Sequence, residues 1–234
     1  MTILNNEDMT TNIKLKQLKV LLNDFELLSR TALLQMQIAE KVLQDSSLDA
    51  LYEEAEANEI IMDRLEIKIR EEVVFSIFQF SPKAADLRLI ITYQDITTNL
   101  ERIGDMLLNV IHYTKTTYQQ QPEFEEEKKQ IYKMIKLVDE MLRNAIFSFS
   151  NEDTRLAYQV IKDDDKVDHL FYQISESLQS SFANKSLTKE QIMNIMHTNA
   201  ISQNLERIGD SATNIAEATI YLTEGKDIRH GNNE

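Results

Sequence analysis

The peptide NLERIGD at residues 99–105 occurs again, unchanged, at residues 204–210. The two copies are offset by 105 residues, and the same offset places Asn109 on Asn214. Apolar residues around both copies recur at steps of three and four, which is the spacing of one face of an α-helix. These features predict that one helical unit is repeated in tandem along the chain.

Six helices are predicted along the sequence, three before and three after the peptide QQQP at residues 119–122, and five of them show an apolar stripe of helical period. No stretch shows the strict alternation that is typical of a β-strand. We therefore predict an all-α protein, built as a tandem repeat of two antiparallel three-helix bundles that join near residues 119–127. The first bundle is predicted to span residues 1–120 and the second residues 121–234, each around a core of its own.

Two short motifs predict where individual helices begin. Ser81 followed by Pro82 matches an N-cap with proline at the first helical position, so the third helix is expected to start there. Thr188 with Gln191 has the spacing of a capping box, in which each residue binds the backbone of the other. The sixth helix is therefore expected to open at Thr188.

The composition excludes several classes of function. The chain has 39 acidic and 25 basic residues, for a net charge of −14, so nucleic acid is not an expected partner. Cysteine is absent, which removes disulfides, thiolate nucleophiles and thiolate metal sites together. Neither a signal peptide nor an apolar run long enough to span a bilayer is predicted from the sequence.

Each repeat carries two pairs of carboxylates spaced four residues apart, a spacing that places both members on one helix face. The pairs are Glu59 with Asp63 and Glu101 with Asp105 in the first repeat, and Asp164 with Asp168 and Glu206 with Asp210 in the second. Like charges at this spacing destabilise a helix by about 0.2–0.5 kcal/mol, so they need either solvent screening or a bound cation. Oxygen donors of this kind suit magnesium, calcium, manganese or iron. All eight carboxylates are therefore predicted metal ligands.

A solvated helix face is the other interpretation of these carboxylates. Arg102 and Arg207 lie three residues before Asp105 and Asp210, respectively, and could pair with them locally. A single pair would favour that interpretation, but the occurrence of four pairs at a common offset favours a metal site. The choice between a metal-binding protein and a metal-free helical adaptor is left to metal analysis of the purified protein.

Catalysis is not predicted. A carboxylate-bridged di-iron enzyme is the main alternative, because such enzymes also use acidic residues in helical bundles, but they require Glu-x-x-His pairs. None of the four histidines has a glutamate three residues before it, and no glycine-rich phosphate-binding loop is present. No catalytic residue is assigned.

Gly104 and Gly209 lie inside the repeated peptide, although glycine within a helix costs about 1 kcal/mol relative to alanine. Two explanations stay open on the sequence alone. Another backbone or side chain could approach closely at both positions, or the glycines could reflect common ancestry without a present structural need.

The two LERIGD peptides, the stretch DLRLIITYQDITTNLERIGD at residues 86–105 and the peptide EGKDIRH at residues 224–230 resemble the signatures of the PhoU family of phosphate-uptake regulators. The resemblance covers essentially the whole chain. It implies PhoU-like three-helix bundles with multinuclear metal clusters of iron, manganese, magnesium or zinc on the eight carboxylates named above.

The same resemblance implies a biological role. Members of the family act in the cytoplasm beside the ATPase subunit of a phosphate ABC transporter and a sensor histidine kinase, peripheral to the membrane through these partners. They restrain phosphate uptake and phosphate-starvation signalling, and the resemblance leaves a homodimer open.

The sequence also departs from the family pattern. Many members have histidine directly after the motif aspartate, where Met106 and Ser211 stand here, and His112 in the first repeat matches Glu217 in the second. The two clusters are therefore expected to differ in nuclearity or occupancy.

Overall fold

A computed structural model of the chain describes residues 6–117, 124–183, 186–225 and 228. All regular structure in these ranges is helical, which confirms the all-α class. Six helices follow one another: α1 (Asn6–Gln44), α2 (Asp49–Phe80), α3 (Ala84–Thr117), α4 (Glu125–Asn151), α5 (Thr154–Phe182) and α6 (Lys189–Glu224). The predicted linker at residues 119–122 and the boundary after residue 120 lie outside the described residues.

Local hydrogen bonds explain several helix ends. Thr188 and Gln191 form the predicted capping box, with the Gln191 amide donating to Thr188 Oγ1 at 3.2 Å. Asp153 caps α5 by accepting a hydrogen bond from the amide of Leu156 at 3.0 Å. Gly225 ends α6 in the left-handed conformation, with φ at 72°, which glycine adopts without a steric penalty.

The prediction that Ser81 and Pro82 open the third helix is wrong. Ser81 instead ends α2 in the left-handed conformation, with φ at 41°, and its amide donates to the carbonyl of Ile77 at 3.2 Å. Proline disfavours helical geometry in the residue before it, so Pro82 stops α2 at this point. The next helix begins two residues later, at Ala84.

The helices form two groups of three. Helices α1, α2 and α3 contact one another, as do α4, α5 and α6, which confirms the tandem three-helix repeat. The groups meet through α1 against α4 and, more extensively, through α3 against α6. Arg88 lies over the ring of Tyr221, and Thr116 contacts His197 at the opposite end, so α3 and α6 run antiparallel.

The buried side chains form one continuous cluster, so the prediction of a separate core in each bundle is wrong. The physical reason is that the apolar face of helices at the contact between the bundles, such as α3, is wider than a single stripe. In α3, Met106 and Ile111 are buried in addition to Ile103 and Leu107, which is more than one stripe. The additional apolar face packs against the other bundle instead of solvent.

Candidate metal centre

The four predicted carboxylates of the first repeat face one another between α2 and α3, and we call them the first carboxylate group. Glu59 is its innermost member, with only 8% of its surface exposed. Neither of its oxygens makes a well-oriented hydrogen bond in the described part of the chain, although the Asp105 carboxyl lies close enough to share a proton with Glu59. Burial, followed by the neighbouring carboxyl groups of Asp105, Asp63 and Glu101, raises the pKa of Glu59 to about 8.

The second repeat builds the equivalent arrangement between α5 and α6, and we call it the second carboxylate group. Burial, followed by the charges of Asp210, Asp168 and Glu206, raises the pKa of Asp164 to about 7. Burial is also the main cause that raises the pKa of Glu206 and the pKa of Asp210. The four predicted carboxylates of each repeat therefore lie near enough to influence one another electrostatically, and their role as metal ligands stays a prediction.

Local pairing with arginine does not neutralise these groups. Arg102 and Arg207 both act to lower the pKa of Asp210, yet burial and Asp168 outweigh them and the pKa is raised. In the first group Arg102 likewise acts to lower the pKa of Glu101, which is nevertheless raised. Solvent screening and pairing with arginine are therefore not enough to explain the environment of these carboxylates.

The two repeat glycines provide the space for the innermost carboxylates. A Cβ atom added at Gly104 would lie 2.7 Å from Met62 Cε and 3.1 Å from Glu59 Oε2. A Cβ atom at Gly209 would lie 3.3 Å from Asp164 Oδ1. The neighbouring helix thus approaches closely at both positions, more tightly at Gly104 than at Gly209, and a carboxylate of each group lies at the contact.

Alanine substitution of the two glycines is expected to give unequal effects. Gly104→Ala should destabilise the protein by about 1–3 kcal/mol, because the overpacking of buried Met62 exceeds the gain in helix propensity. Gly209→Ala should change the stability by less than about 1 kcal/mol, because its nearest contacts are only slightly tight. Urea denaturation of both variants checks this, and a greater loss in Gly209→Ala than in Gly104→Ala would contradict it.

Two further polar residues adjoin these groups and were not predicted from the sequence. Glu66 is 8% exposed, pairs with Arg70 one turn further along α2, and helps through its charge to raise the pKa of Glu101, so it adjoins the first carboxylate group. Its equivalent in the second repeat is Phe171, so a search for repeated carboxylates excludes it. Thr213 adjoins Asp164 and acts to lower the pKa of that residue, while Leu108 stands at the equivalent place in the first repeat.

The donor set fits a cation that prefers oxygen ligands. Both oxygens of Glu59 and one oxygen of Asp164 are buried and lack a well-oriented hydrogen bond among the described residues, although Asp105 adjoins Glu59 and Thr213 adjoins Asp164. Such atoms are costly unless a proton or a cation satisfies them. Within the described ranges, no three histidine, cysteine, aspartate or glutamate side chains already converge as a metal site. Binding would therefore require the carboxylates to rotate inward.

None of the helices, over the residues that the structure describes, combines the length and the apolarity that crossing a membrane requires.

Comparison with known proteins places these groups in a family context. The family model described as PhoU domain matches the chain twice, at residues 25–114 and 131–219. A relative from Aquifex aeolicus, named phosphate-specific transport system accessory protein PhoU homolog, is 31% identical over 77% of this chain and 79% of its own length. A Burkholderia protein of the same name is 30% identical, over 88% of this chain and 87% of its own.

Solved structures agree with the fold. The crystal structure of PhoU from Pseudomonas aeruginosa has a TM-score of 0.81 and 27% identity, covering 90% of this chain and 99% of that one. The structure of the phosphate transport system regulatory protein PhoU from Streptococcus pneumoniae has a TM-score of 0.79 at 22% identity, covering 92% and 98%. The second likeness concerns the fold alone.

Proposed function

The chain belongs to the PhoU family, and from that premise we propose that it is a regulatory protein that restrains phosphate uptake and phosphate-starvation signalling when phosphate is plentiful. The observation that carries the proposal is the match of the PhoU domain to both halves of the chain. Relatives that match over most of their length are named accessory proteins of the phosphate-specific transport system. The proposed role is regulatory, not catalytic.

The proposed partners are the ATPase subunit of the phosphate ABC transporter and a sensor histidine kinase, met at the cytoplasmic face of the membrane. Ile60, Ile67, Val74 and Phe78 support a protein partner on α2, because they form an exposed apolar row on one helix face. Phe78 is 83% exposed. The equivalent positions in α5 include an aspartate and a glutamine, so the row belongs to the first bundle alone.

Metal binding is the second part of the proposal. Glu59, Asp63, Glu101 and Asp105, with Glu66 beside them, would hold cations in the first bundle. In the second bundle, Asp164, Asp168, Glu206 and Asp210 would do so. Iron, manganese, magnesium and zinc are the candidates, and the oxygen donors favour the harder cations. A bound cation would neutralise the crowded carboxylates, so its presence would change the charge that each bundle offers to a partner.

Deletion of the gene tests the regulatory role. A strain without the protein is expected to express a phosphate-starvation reporter under phosphate-replete conditions, and the wild-type gene should restore repression. The paired substitution Val74→Asp/Phe78→Asp should fail to restore it, because two buried charges in a docking surface cost far more than the apolar contact they replace.

Tyr172→Asp is the matched control, since Tyr172 is an exposed aromatic residue of α5 at the position equivalent to Ile67. It should restore repression like the wild type. Normal repression in the deletion strain, together with no detectable binding to transporter or kinase, would overturn the regulatory proposal. Full repression by Val74→Asp/Phe78→Asp would overturn only the α2 surface.

A further inference from the structure

The antiparallel contact between α3 and α6 has two equivalent ends, because each helix is the repeat of the other. At one end the groove between the helices is filled. The ring of His197 lies against the ring of Tyr113, with centroids 5.3 Å apart, and His197 Nδ1 is 3.0 Å from Thr116 Oγ1. Burial lowers the pKa of His197, as expected for an imidazole packed into a groove.

At the other end the repeat provides smaller side chains. Thr92 stands at the position of His197, and Ala218 stands at the position of Tyr113. This end contains a cavity of about 300 Å³ between α3 and α6, which we call the α3–α6 cavity. It has roughly ten times the volume of one water molecule, so a single small ion would not fill it.

Polar groups of several kinds line the α3–α6 cavity. Asp95, Asn99 and Arg102 reach it from α3, and Asn214 and Tyr221 reach it from α6. The Asn214 Nδ2 atom donates to Asn99 Oδ1 at 3.4 Å, which orients both amides at the cavity wall. Carboxylate, amide and hydroxyl groups around an aromatic ring form a lining suited to hydroxylated ligands, and a guanidinium suits an oxyanion.

A second positive charge lies at the rim of the cavity. The guanidinium of Arg88 is 5.3 Å from the centroid of the Tyr221 ring, which itself lines the cavity. Arg88 and Arg102 thus place two guanidinium groups near this cavity, beside Asp95, and Arg102 also acts on the carboxyl groups of Glu101 and Asp210. A guanidinium in the cavity wall favours a ligand that carries an anionic group.

We propose that the α3–α6 cavity binds a small polyhydroxylated anion, of the sugar-phosphate or sugar-acid class. The anionic group would pair with Arg102, the hydroxyl groups would bind Asp95 and Asn99, and the ring would pack on Tyr221. The inference does not rest on the proposed regulatory function, since it requires neither the transporter nor the kinase. The α3–α6 cavity also differs from the carboxylate groups, because its proposed ligand is a hydroxylated anion and theirs is a metal cation.

Isothermal titration calorimetry of the full chain, stripped of metal with a chelator, tests the proposal. Glucose 6-phosphate and glucuronate, which both contain a sugar ring, represent the two sources of the anionic group, and glucose and inorganic phosphate each supply half of the recognition. At least one of the two hydroxylated anions should bind with one-to-one stoichiometry, at least about tenfold more tightly than glucose or inorganic phosphate. Inorganic phosphate that binds as tightly as both of them would overturn the proposal.

The repeat itself suggests the decisive variant. Thr92→His/Ala218→Tyr places in the cavity the two side chains that fill the opposite end, and it should weaken binding by at least about tenfold. Gln173→His/Ala57→Tyr introduces the same side chains at exposed positions of α5 and α2, and it should bind like the wild type. Circular dichroism should show both variants to be folded.

Arg102→Gln separates the charge from the cavity shape. This substitution should weaken the binding of the hydroxylated anion by about tenfold or more and leave the weak binding of glucose unchanged, because only the anion pairs with the guanidinium. Unchanged affinity in both Arg102→Gln and the cavity-filling variant would overturn the proposal. So would the absence of any binding by the wild type up to about 10 mM ligand.

Discussion

Replacement of both Glu101 and Asp105 with alanine is expected to remove metal from the first carboxylate group and to leave the second group filled. These residues form one of the two carboxylate pairs of that group, and the remaining pair, Glu59 with Asp63, provides too few oxygen donors for a hard cation. Elemental analysis and native mass spectrometry should find the metal content reduced to about half of the wild-type value, if both groups are filled equally.

The same variant should be at least as stable as the wild-type protein when both are free of metal. Glu101 and Asp105 repel Glu59, and this repulsion is removed together with them. At pH 8 the metal-free variant should gain on the order of 1 kcal/mol over the metal-free wild type. When the wild-type protein is saturated with metal, it should instead be the more stable of the two, because metal binding stabilises only the protein that retains the site.

The pH dependence of the metal-free protein follows from the raised pKa values. The pKa of Glu59 rises from 4.5 to about 8 on folding, so the folded state binds its proton more tightly than the unfolded state does. Its contribution to stability is complete below pH 4.5 and is lost as the pH rises to about 8. The pKa of Asp164, raised from 3.8 to about 7, gives the same trend in a lower window. Bound metal should flatten both slopes.

The matched control is Glu206→Ala/Asp210→Ala, which removes the equivalent pair from the second carboxylate group. This variant should lose the metal of the second carboxylate group. A variant that carries all four substitutions should bind almost no metal. Metal content equal to wild type in both double variants would show that these carboxylates are not the ligands. Retention of metal by only one of them would show that a single group is occupied.

The sequence was sufficient for the class of fold and for the placement of the eight carboxylates on facing helices, because both depend on local period and on repetition; their role as metal ligands stays a prediction. A step of three or four residues defines a helix face, and a common offset relates Glu59 to Asp164 without any knowledge of the packing. Glu66 has no carboxylate at its repeat position, so the same reasoning excluded it. Its role follows from burial between α2 and α3, which only the assembled bundle defines.

The errors also have physical causes. Ser81 and Pro82 are compatible with either the end of one helix or the start of the next, and tertiary geometry decides between them. The single core was not predicted because a stripe pattern gives the direction of an apolar face but not the partner that covers it. The contacts between α3 and α6 cover apolar faces of this kind. They also form a groove that is filled by side chains at one end and contains the α3–α6 cavity at the other.

Phe149→Ala is expected to have the largest effect on stability among the substitutions considered, because Phe149 lies where the two bundles meet. Its ring packs edge to face against Phe25 of α1 and Tyr93 of α3, with centroids 5.2 and 5.0 Å away. Only 4% of its surface is exposed. Truncation should lower the free energy of unfolding by about 3–5 kcal/mol, through lost burial, lost ring contacts and the cavity left behind.

Phe147→Ala is the matched control, because Phe147 lies on the same helix two residues earlier and is 57% exposed. It should change the free energy of unfolding by less than about 0.5 kcal/mol. Thermal and urea denaturation should show a single transition in the wild type and in both variants, since one continuous core couples the bundles. If Phe149→Ala instead moved only one of two separate transitions, the bundles would unfold independently. The side chains between α1, α3 and α4 would then pack together without coupling the unfolding of the two bundles.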